Sequence, residues 1–203
     1  MQPLFSGDKV KLLTEIMQRH TLAEMKKWQV GQCINISAAM QNITLNVITT
    51  TVFGITDPKQ VRIFQQLAPA VLASYTPSLG LRLLRNKLWY PWRKFVNARE
   101  KLEQFLLQEI SHVKQTEQTE RTDILNALTT LSLSDTELCN YLKELLLSGY
   151  AAVHITLTWA IFYIYSRPEI HEKLLAELKS LGNFSIEEIY LSYLILMPFV
   201  RKY

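Results

Sequence analysis

Leu145–Ser166 reads LLLSGYAAVHITLTWAIFYIYS, 22 residues without a charged side chain. Lys143 and Glu144 precede the run, and Arg167, Pro168 and Glu169 end it. A bilayer-spanning helix needs about 20 apolar residues. The run is long enough for that, and equally long enough to be the central helix of an all-α protein. Hydroxyls and a histidine are scattered along it: Ser148, Tyr150, His154, Thr156, Thr158, Tyr163 and Tyr165. Each would need a hydrogen-bond partner in hydrocarbon. The exit at Ser166-Arg167-Pro168-Glu169 is a soluble helix boundary, because proline disfavours helical backbone at the residue before it. Beyond it, Glu169–Lys179 is amphipathic, with Ile170, Leu174, Leu175 and Leu178 on one stripe. The residues favour a buried helix over a membrane span.

The chain has 203 residues, enough for one sizeable core. With 48% of its residues apolar, intrinsic disorder is excluded. A formal net charge of +4 is too mild to argue for nucleic acid. Cys33 and Cys139 are far apart, which suits free thiols in a reducing compartment better than a disulfide scaffold. The start MQPLFSGDKVKLL lacks the basic end and apolar stretch of a signal peptide. The sequons at Asn35, Asn42 and Asn183 carry little meaning without one. A cytoplasmic protein is expected.

Helical spacing runs through nearly the whole chain, and no alternating strand run bounded by turn signals stands out. Asp8–Trp28 is amphipathic through Val10, Leu13, Ile16, Met17 and Met25. Ser37 is expected to cap a second helix that runs to Phe53 and ends at Gly54. Its Met40, Ile43, Leu45, Val47 and Ile48 cover much of the circumference, as in an interior helix. Asp57-Pro58 opens a third, to about Ser74, with proline at the first helical position. Thr76–Pro91 is expected to be irregular. From Trp92 a long helix carries Phe95, Ala98, Leu102, Phe105, Leu106 and Ile110, then dissolves into the polar Gln115–Glu120. Thr122 or Asp123 caps a short helix through Leu128. Ser134-Asp135-Thr136-Glu137 then has the form of a capped start leading into the charge-free run. These signals predict an all-α fold in a single domain over residues 1–203.

In this order the chain resembles the cytochrome P-450 family of heme-thiolate monooxygenases, over most of its length. Gln2-Pro3-Leu4-Phe5 is similar to the QPxF after that family's C helix. Met40–Ile48, closing on Val52-Phe53-Gly54, resembles its E helix. Arg121-Thr122-Asp123-Ile124-Leu125 matches the RxDIL entering its H helix. Leu145–Ser166 aligns with the central I helix, and Arg167-Pro168-Glu169-Ile170 with the boundary after it. Leu191-Ser192-Tyr193-Leu194 is similar to the LPYL opening the K helix. Each motif alone is weak; six in order at plausible spacing are a strong signal. The flavour is bacterial and soluble.

The resemblance implies a partial P-450 fold, helices D to J around a long I helix, with the N-terminal β-rich part and the C-terminal heme-cysteine part absent. It implies heme and iron in the parent family, an apolar substrate such as a fatty acid or terpene, and an electron-transfer partner. It places Ser148, Gly149, Ala152 and Val153 on the distal heme face, with Leu147, Tyr150 and Ala151 toward substrate. The family's acid and alcohol, which relay protons, fall on Ala151 and Ala152, so no catalytic residue is assigned. The ExxR of the K helix falls on Val200–Tyr203, which reads VRKY. By alignment neither Cys33 nor Cys139 is the thiolate whose electron push favours O–O cleavage. The expectation is an oxidoreductase-family chain that is inactive alone and does not bind heme stably. The alternatives are a non-catalytic helical interaction fragment, a pseudogene product, or a membrane-associated protein built on Leu145–Ser166.

Other features read as structure. His154, alone in the apolar run, is expected to be a satisfied core histidine rather than an axial ligand. His171-Glu172 does not complete HExxH, because Leu175 follows where the second histidine belongs. No cluster has metal-ligand spacing, and no metal site is expected. Arg82–Lys94 interleaves bases with Trp89, Tyr90 and Trp92. Aromatic packing beside solvated bases suits it, as does a membrane-touching role; the resemblance places it between the F and G helices and so implies a substrate-entrance role, and nucleic acid binding is not expected. Gly149, in mid-helix, needs a reason worth about 1 kcal/mol: an open heme face or a close helix contact.

Overall fold

A computed structural model describes residues 7–29, 31–80, 90–116 and 121–181. Among them run seven helices and no strand: α1 (Gly7–Met25), α2 (Ile36–Thr51), α3 (Pro58–Gly80), α4 (Tyr90–Gln115), α5 (Ile124–Thr129), α6 (Asp135–Ser166) and α7 (Pro168–Leu181). The all-α expectation holds. The motifs at Gln2–Phe5, Leu191–Leu194 and Val200–Tyr203, and Arg82–Trp89 of the basic-aromatic stretch, lie outside the described residues.

Local chemistry accounts for the starts of four of the seven helices among the described residues. Asn35, in extended backbone, accepts from the Ala38 N–H at 3.0 Å and caps α2. The cap expected at Ser37 therefore falls two residues earlier, and Ser37 is already helical. Asp57 accepts from the N–H groups of Lys59 and Gln60 at 3.4 and 3.3 Å, with Pro58 at the first helical position of α3. Of the two candidates for the α5 cap, Asp123 serves, accepting from Asn126 N at 2.9 Å. Ser134 and Glu137 form the full capping box of α6.

The third helix outruns its expected end at Ser74, reaching Gly80, and α4 starts at Tyr90. Thr76–Pro91 is thus helical at both ends. Proline deletes one backbone donor, yet α3 continues through Pro69. The buried Phe64 and Ala68, with Leu67 and Val71 packed beside them, bind that turn to the core.

The core forms where α3 and α4 lie against each other and α6 crosses them. Phe53 and Phe64 sit 4.7 Å apart between ring centroids, and Phe64 and Phe105 5.8 Å. Leu102, Leu106, Ile110, Leu125, Leu138 and Leu142 fill the space around them. Along α6, α2 packs through Leu45 and Ile48, with a smaller cluster of Ala39, Met40 and Ile43 near Trp28 and Ile161.

One motif is tied by a buried knot. Arg121 Nε donates to Asp123 at 2.7 Å and its Nη2 donates to the Phe53 carbonyl at 2.9 Å, while Leu125 N donates to the Val52 carbonyl at 2.8 Å. Gly54 beside it has φ +59°, and a Cβ there would run into both the Arg121 guanidinium and the Asp123 carboxylate. The start of α5 is thereby fastened to the end of α2.

The central helix differs from the sequence reading in one respect. Its core side is the row Leu138, Cys139, Leu142, Leu146, Tyr150 and His154, all buried. Past His154, Ile155, Leu157, Trp159, Phe162, Tyr163 and Tyr165 are exposed. Only 17% of its most apolar window is buried. Length and composition alone would let α6 cross a membrane. The helix is a core element along one face from Leu138 to His154, and beyond it Ile161 still packs near Ala39, Met40 and Ile43 of α2 while the rest of that stretch is largely open.

Candidate functional site

Helix geometry sorts the seven residues singled out on α6. With about 100° per residue, positions four apart share a face. Ser148 and Ala152 stand on the outward face, both exposed, in line with Ile155 and Trp159. The Ser148 hydroxyl turns back to the Glu144 carbonyl at 2.8 Å. Val153 is exposed although it lies in line with the buried Leu146, seven residues before it, and Leu147 and Ala151 are half-buried on the flank of the outward face.

Gly149 and Tyr150 face inward. A Cβ on Gly149 would lie 3.3 Å from Ile48 Cδ1 of α2. Close helix approach is the reason for this glycine. Tyr150 is buried among core residues, and burial pushes its phenol above the usual tyrosine value. His154, one turn on, is buried with Nδ1 2.7 Å from the Tyr150 carbonyl and its ring 4.8 Å from the Tyr150 ring. It is the core histidine the sequence suggested.

Neither thiol reaches the outward face. Cys33 is exposed between α1 and α2, and Cys139 is buried on the core side of α6. Burial raises the Cys139 thiol, against a smaller opposing effect of Lys143. Among the described residues no three His, Cys, Asp or Glu side chains gather as a metal site.

Beyond Ala152 the face becomes aromatic. Trp159 meets Phe162 edge-on at 5.5 Å and Tyr163 at 5.9 Å, and the Arg167 guanidinium sits 5.4 Å over the Tyr163 ring. Sequence reading counted these residues as core, since periodicity marks an apolar stripe without saying what covers it.

A concavity of about 740 Å³ lies between α1, the end of α2, the start of α3, α4 and the start of α5. Glu109, His112, Arg19, Asp57 and the Arg121–Asp123 pair line it. Burial raises the Glu109 carboxyl above its ordinary 4.5, outweighing His112 and Arg121. On the rim of α1, His20 contacts Thr50 of α2 through Nε2 at 3.0 Å, and burial, then Arg19, lower its pKa. The residues of this concavity come from five helices and the segments between them. Leu13, Ile16, Gly54, Asp57, Arg121 and Asp123 gave sequence signals as stripe, helix-end or motif residues, and none of those signals joined them at one concavity.

Comparison with known proteins gives the family of the chain. The sequence model of the cytochrome P-450 family matches residues 1–203. A putative cytochrome P-450 135A1 of Mycobacterium tuberculosis is 27% identical over 189 residues, covering 86% of this chain and 40% of its own length. Cyclooctatin synthase of Streptomyces melanosporofaciens is 29% identical over 188 residues, 87% of this chain and 41% of its own. A putative cytochrome P-450 137 of Mycobacterium tuberculosis is 25% identical over 189 residues, 87% and 39% respectively. The chain thus spans about 40% of the length of these relatives.

Proposed function

We propose, from the premise that this chain belongs to the cytochrome P-450 family, that the face of α6 bearing Ser148 and Ala152 is the wall against which the family's heme lies. One observation carries this reading. Ser148 and Ala152 are small, outward and one turn apart, on the side of α6 away from the core. A planar macrocycle needs such a strip, free of long side chains, so the residues present fit the group. Heme with an axial thiolate supplies the oxygen chemistry of the family. The part these residues play is to present a flat surface and to keep water from it.

Proton delivery is a different matter. A general acid must stand within hydrogen-bond reach of the group it serves. Ala151 and Ala152 carry no proton to give, and the Ser148 hydroxyl is committed to the Glu144 carbonyl. Tyr150 and His154 sit on the opposite, core side. Neither cysteine of the chain is placed to act as an axial ligand on this face. We read the chain as a P-450-type oxidoreductase scaffold that forms a distal wall, is inactive by itself and holds heme weakly. Leu147 and Ala151, on the flank of the wall, are the substrate contacts in this reading. The substrate is a small apolar molecule, fatty-acid- or terpene-like, the redox partner an electron-transfer protein, and the location the cytoplasm.

Hemin titration of the full chain, followed by absorbance, tests the wall. Ala152→Trp fills the strip and should weaken hemin binding at least ~10-fold, about 1.4 kcal/mol or more. Equal binding by wild type and variant would remove the assignment. The reduced, carbon monoxide-treated complex should lack a thiolate-type Soret band. Its appearance would overturn the claim of inactivity.

A further inference from the structure

The concavity beside the Arg121–Asp123 knot shares no residue with the outward face of α6. Its volume of about 740 Å³ falls within the range of about 300–1,000 Å³ usual for small-molecule sites. Leu12, Leu13 and Ile16 of α1 give it an apolar wall. Two carboxylates from separate elements line the same space, Asp57 just before α3 and Glu109 within α4.

Neither carboxylate is fully answered. Glu109 is half-buried, and it accepts no hydrogen bond among the described residues. Burial raises its pKa, and the like charge of Asp57 adds to that rise against His112 and Arg121. Asp57 receives one backbone N–H on each oxygen, at 3.4 and 3.3 Å, so both oxygens keep lone pairs to offer. The bases nearby are committed elsewhere or stand apart. Arg121 is held by Asp123 and the Phe53 carbonyl. Arg19, exposed on the rim, makes no ion pair among the described residues.

Charge and donor balance then select the ligand. Arg121 and Asp123 cancel, and Arg19 offsets one of the two remaining carboxylates. With histidine counted neutral, the cleft is left with one negative charge. The Thr51 hydroxyl, also in the lining, donates to the Val47 carbonyl at 2.8 Å, so its oxygen is left to accept. Surplus acceptors around a single negative charge suit a hydrogen-bond donor carrying one positive charge, and repel an anion.

We propose that this cleft binds a small amphipathic primary amine, with its ammonium between Asp57 and Glu109 and its apolar body against Leu12, Leu13 and Ile16. The proposal does not depend on heme.

Calorimetric titration of the full chain with phenethylammonium tests it, with 2-phenylethanol and 3-phenylpropionate as the neutral and anionic counterparts. At neutral pH the amine should bind at least ~10-fold more tightly than the alcohol. Glu109→Gln keeps the shape of the side chain and removes a half-buried charge, so the variant folds, and it should abolish that preference. Asp57→Asn retains an oxygen able to cap α3 and should weaken the amine at least ~3-fold. Glu100→Gln makes the same charge change at an exposed position of α4 outside the cleft, and should leave the preference intact. Glu109 must be ionised to hold the ammonium, so the preference should fade as pH falls through its raised value. Arg19, Asp57, His112, Arg121 and Asp123 face the same space, with His20 bonded to Thr50 at its rim. Protonating either histidine also disfavours a cation, so the diagnostic part of the pH dependence is the part that Glu109→Gln removes. Failure of the amine to bind, or tighter binding of 3-phenylpropionate, overturns the proposal. So does a preference that survives Glu109→Gln or Asp57→Asn, or one that Glu100→Gln removes equally.

Discussion

Replacing Gly54 by alanine puts the Arg121–Asp123 knot to its sharpest test. Two costs add. At φ +59° an L side chain is strained by about 1–2 kcal/mol. The new methyl also occupies space held by Arg121 Nη2 and the Asp123 carboxylate, so the guanidinium must move. Moving it stretches the 2.9 Å bond to the Phe53 carbonyl and the 2.7 Å contact with Asp123. A hydrogen bond to a charged group contributes about 1.5–3 kcal/mol. Breaking a buried pair costs about 3–5 kcal/mol, and these side chains are only 15% and 6% exposed. The sum is about 3–5 kcal/mol after partial relaxation, against a total stability of about 5–15 kcal/mol for a domain. Gly31 supplies the control: its φ is +85°, and a Cβ there meets nothing within 4 Å. Gly31→Ala should cost only the backbone strain. Urea unfolding followed by far-UV circular dichroism, compared at equal m-value, measures both. If Gly54→Ala lies within about 1 kcal/mol of Gly31→Ala, the knot does not bear on stability and the reasoning fails.

Other changes follow from the same geometry. Gly149→Ala gains about 1 kcal/mol of helix propensity but pushes on Ile48 Cδ1, so alone it should be near neutral. In an Ile48→Val background, which lacks that atom, it should stabilise by about 1 kcal/mol, and a thermal-melt double-mutant cycle reads the coupling. Gly149→Leu should cost about 1–3 kcal/mol by overpacking. Ser134→Ala removes the α6 cap and should cost about 1 kcal/mol in the same melts. The Glu109 carboxyl has its pKa raised on folding, so its destabilising effect is absent below its ordinary 4.5 and grows as pH rises through the folded value. Glu109→Gln should therefore raise the melting temperature at neutral pH, with the gain vanishing on acidification; a gain unchanged at low pH would contradict the burial argument. His20 has a lowered pKa, so the chain should lose stability as pH falls from the ordinary 6.5 toward the folded value. His20→Gln should flatten that part of the pH–stability curve.

Much of the helix map was legible because its signals are local. Pro58, Asp123, the Ser134–Glu137 box and the Arg167-Pro168 exit act within a few residues of themselves, and the structure uses each where it was read. Asn35 was missed because Asn35 and Ser37 are both good caps, and only backbone angles say which stands outside the helix. The third helix runs on to Gly80, past the expected Ser74; Pro69, inside both spans, is held helical because the packing of Phe64, Leu67, Ala68 and Val71 outweighs a lost hydrogen bond of about 1 kcal/mol. The motif Arg121–Leu125 was legible as a pattern; its cause, a guanidinium bridging Asp123 and the Phe53 carbonyl beside Gly54, joins positions 68 residues apart.

By itself the sequence determined that this chain is helical, where most helices start and stop, and which family its motifs follow. Capping, proline geometry and unbroken apolar spacing are short-range physics. Only the tertiary structure decided what each side of α6 meets. Burial belongs to pairs of elements, and no spacing along one helix says which stripe a neighbour will cover. Gly149 is small because Ile48 is there, Tyr150 and His154 are inward because α6 turns them toward the core, and Ser148, Ala152 and Trp159 are left on the open side. The charge-free run that set the fold is thus two surfaces, one packed and one outward, and the outward one carries the functional reading.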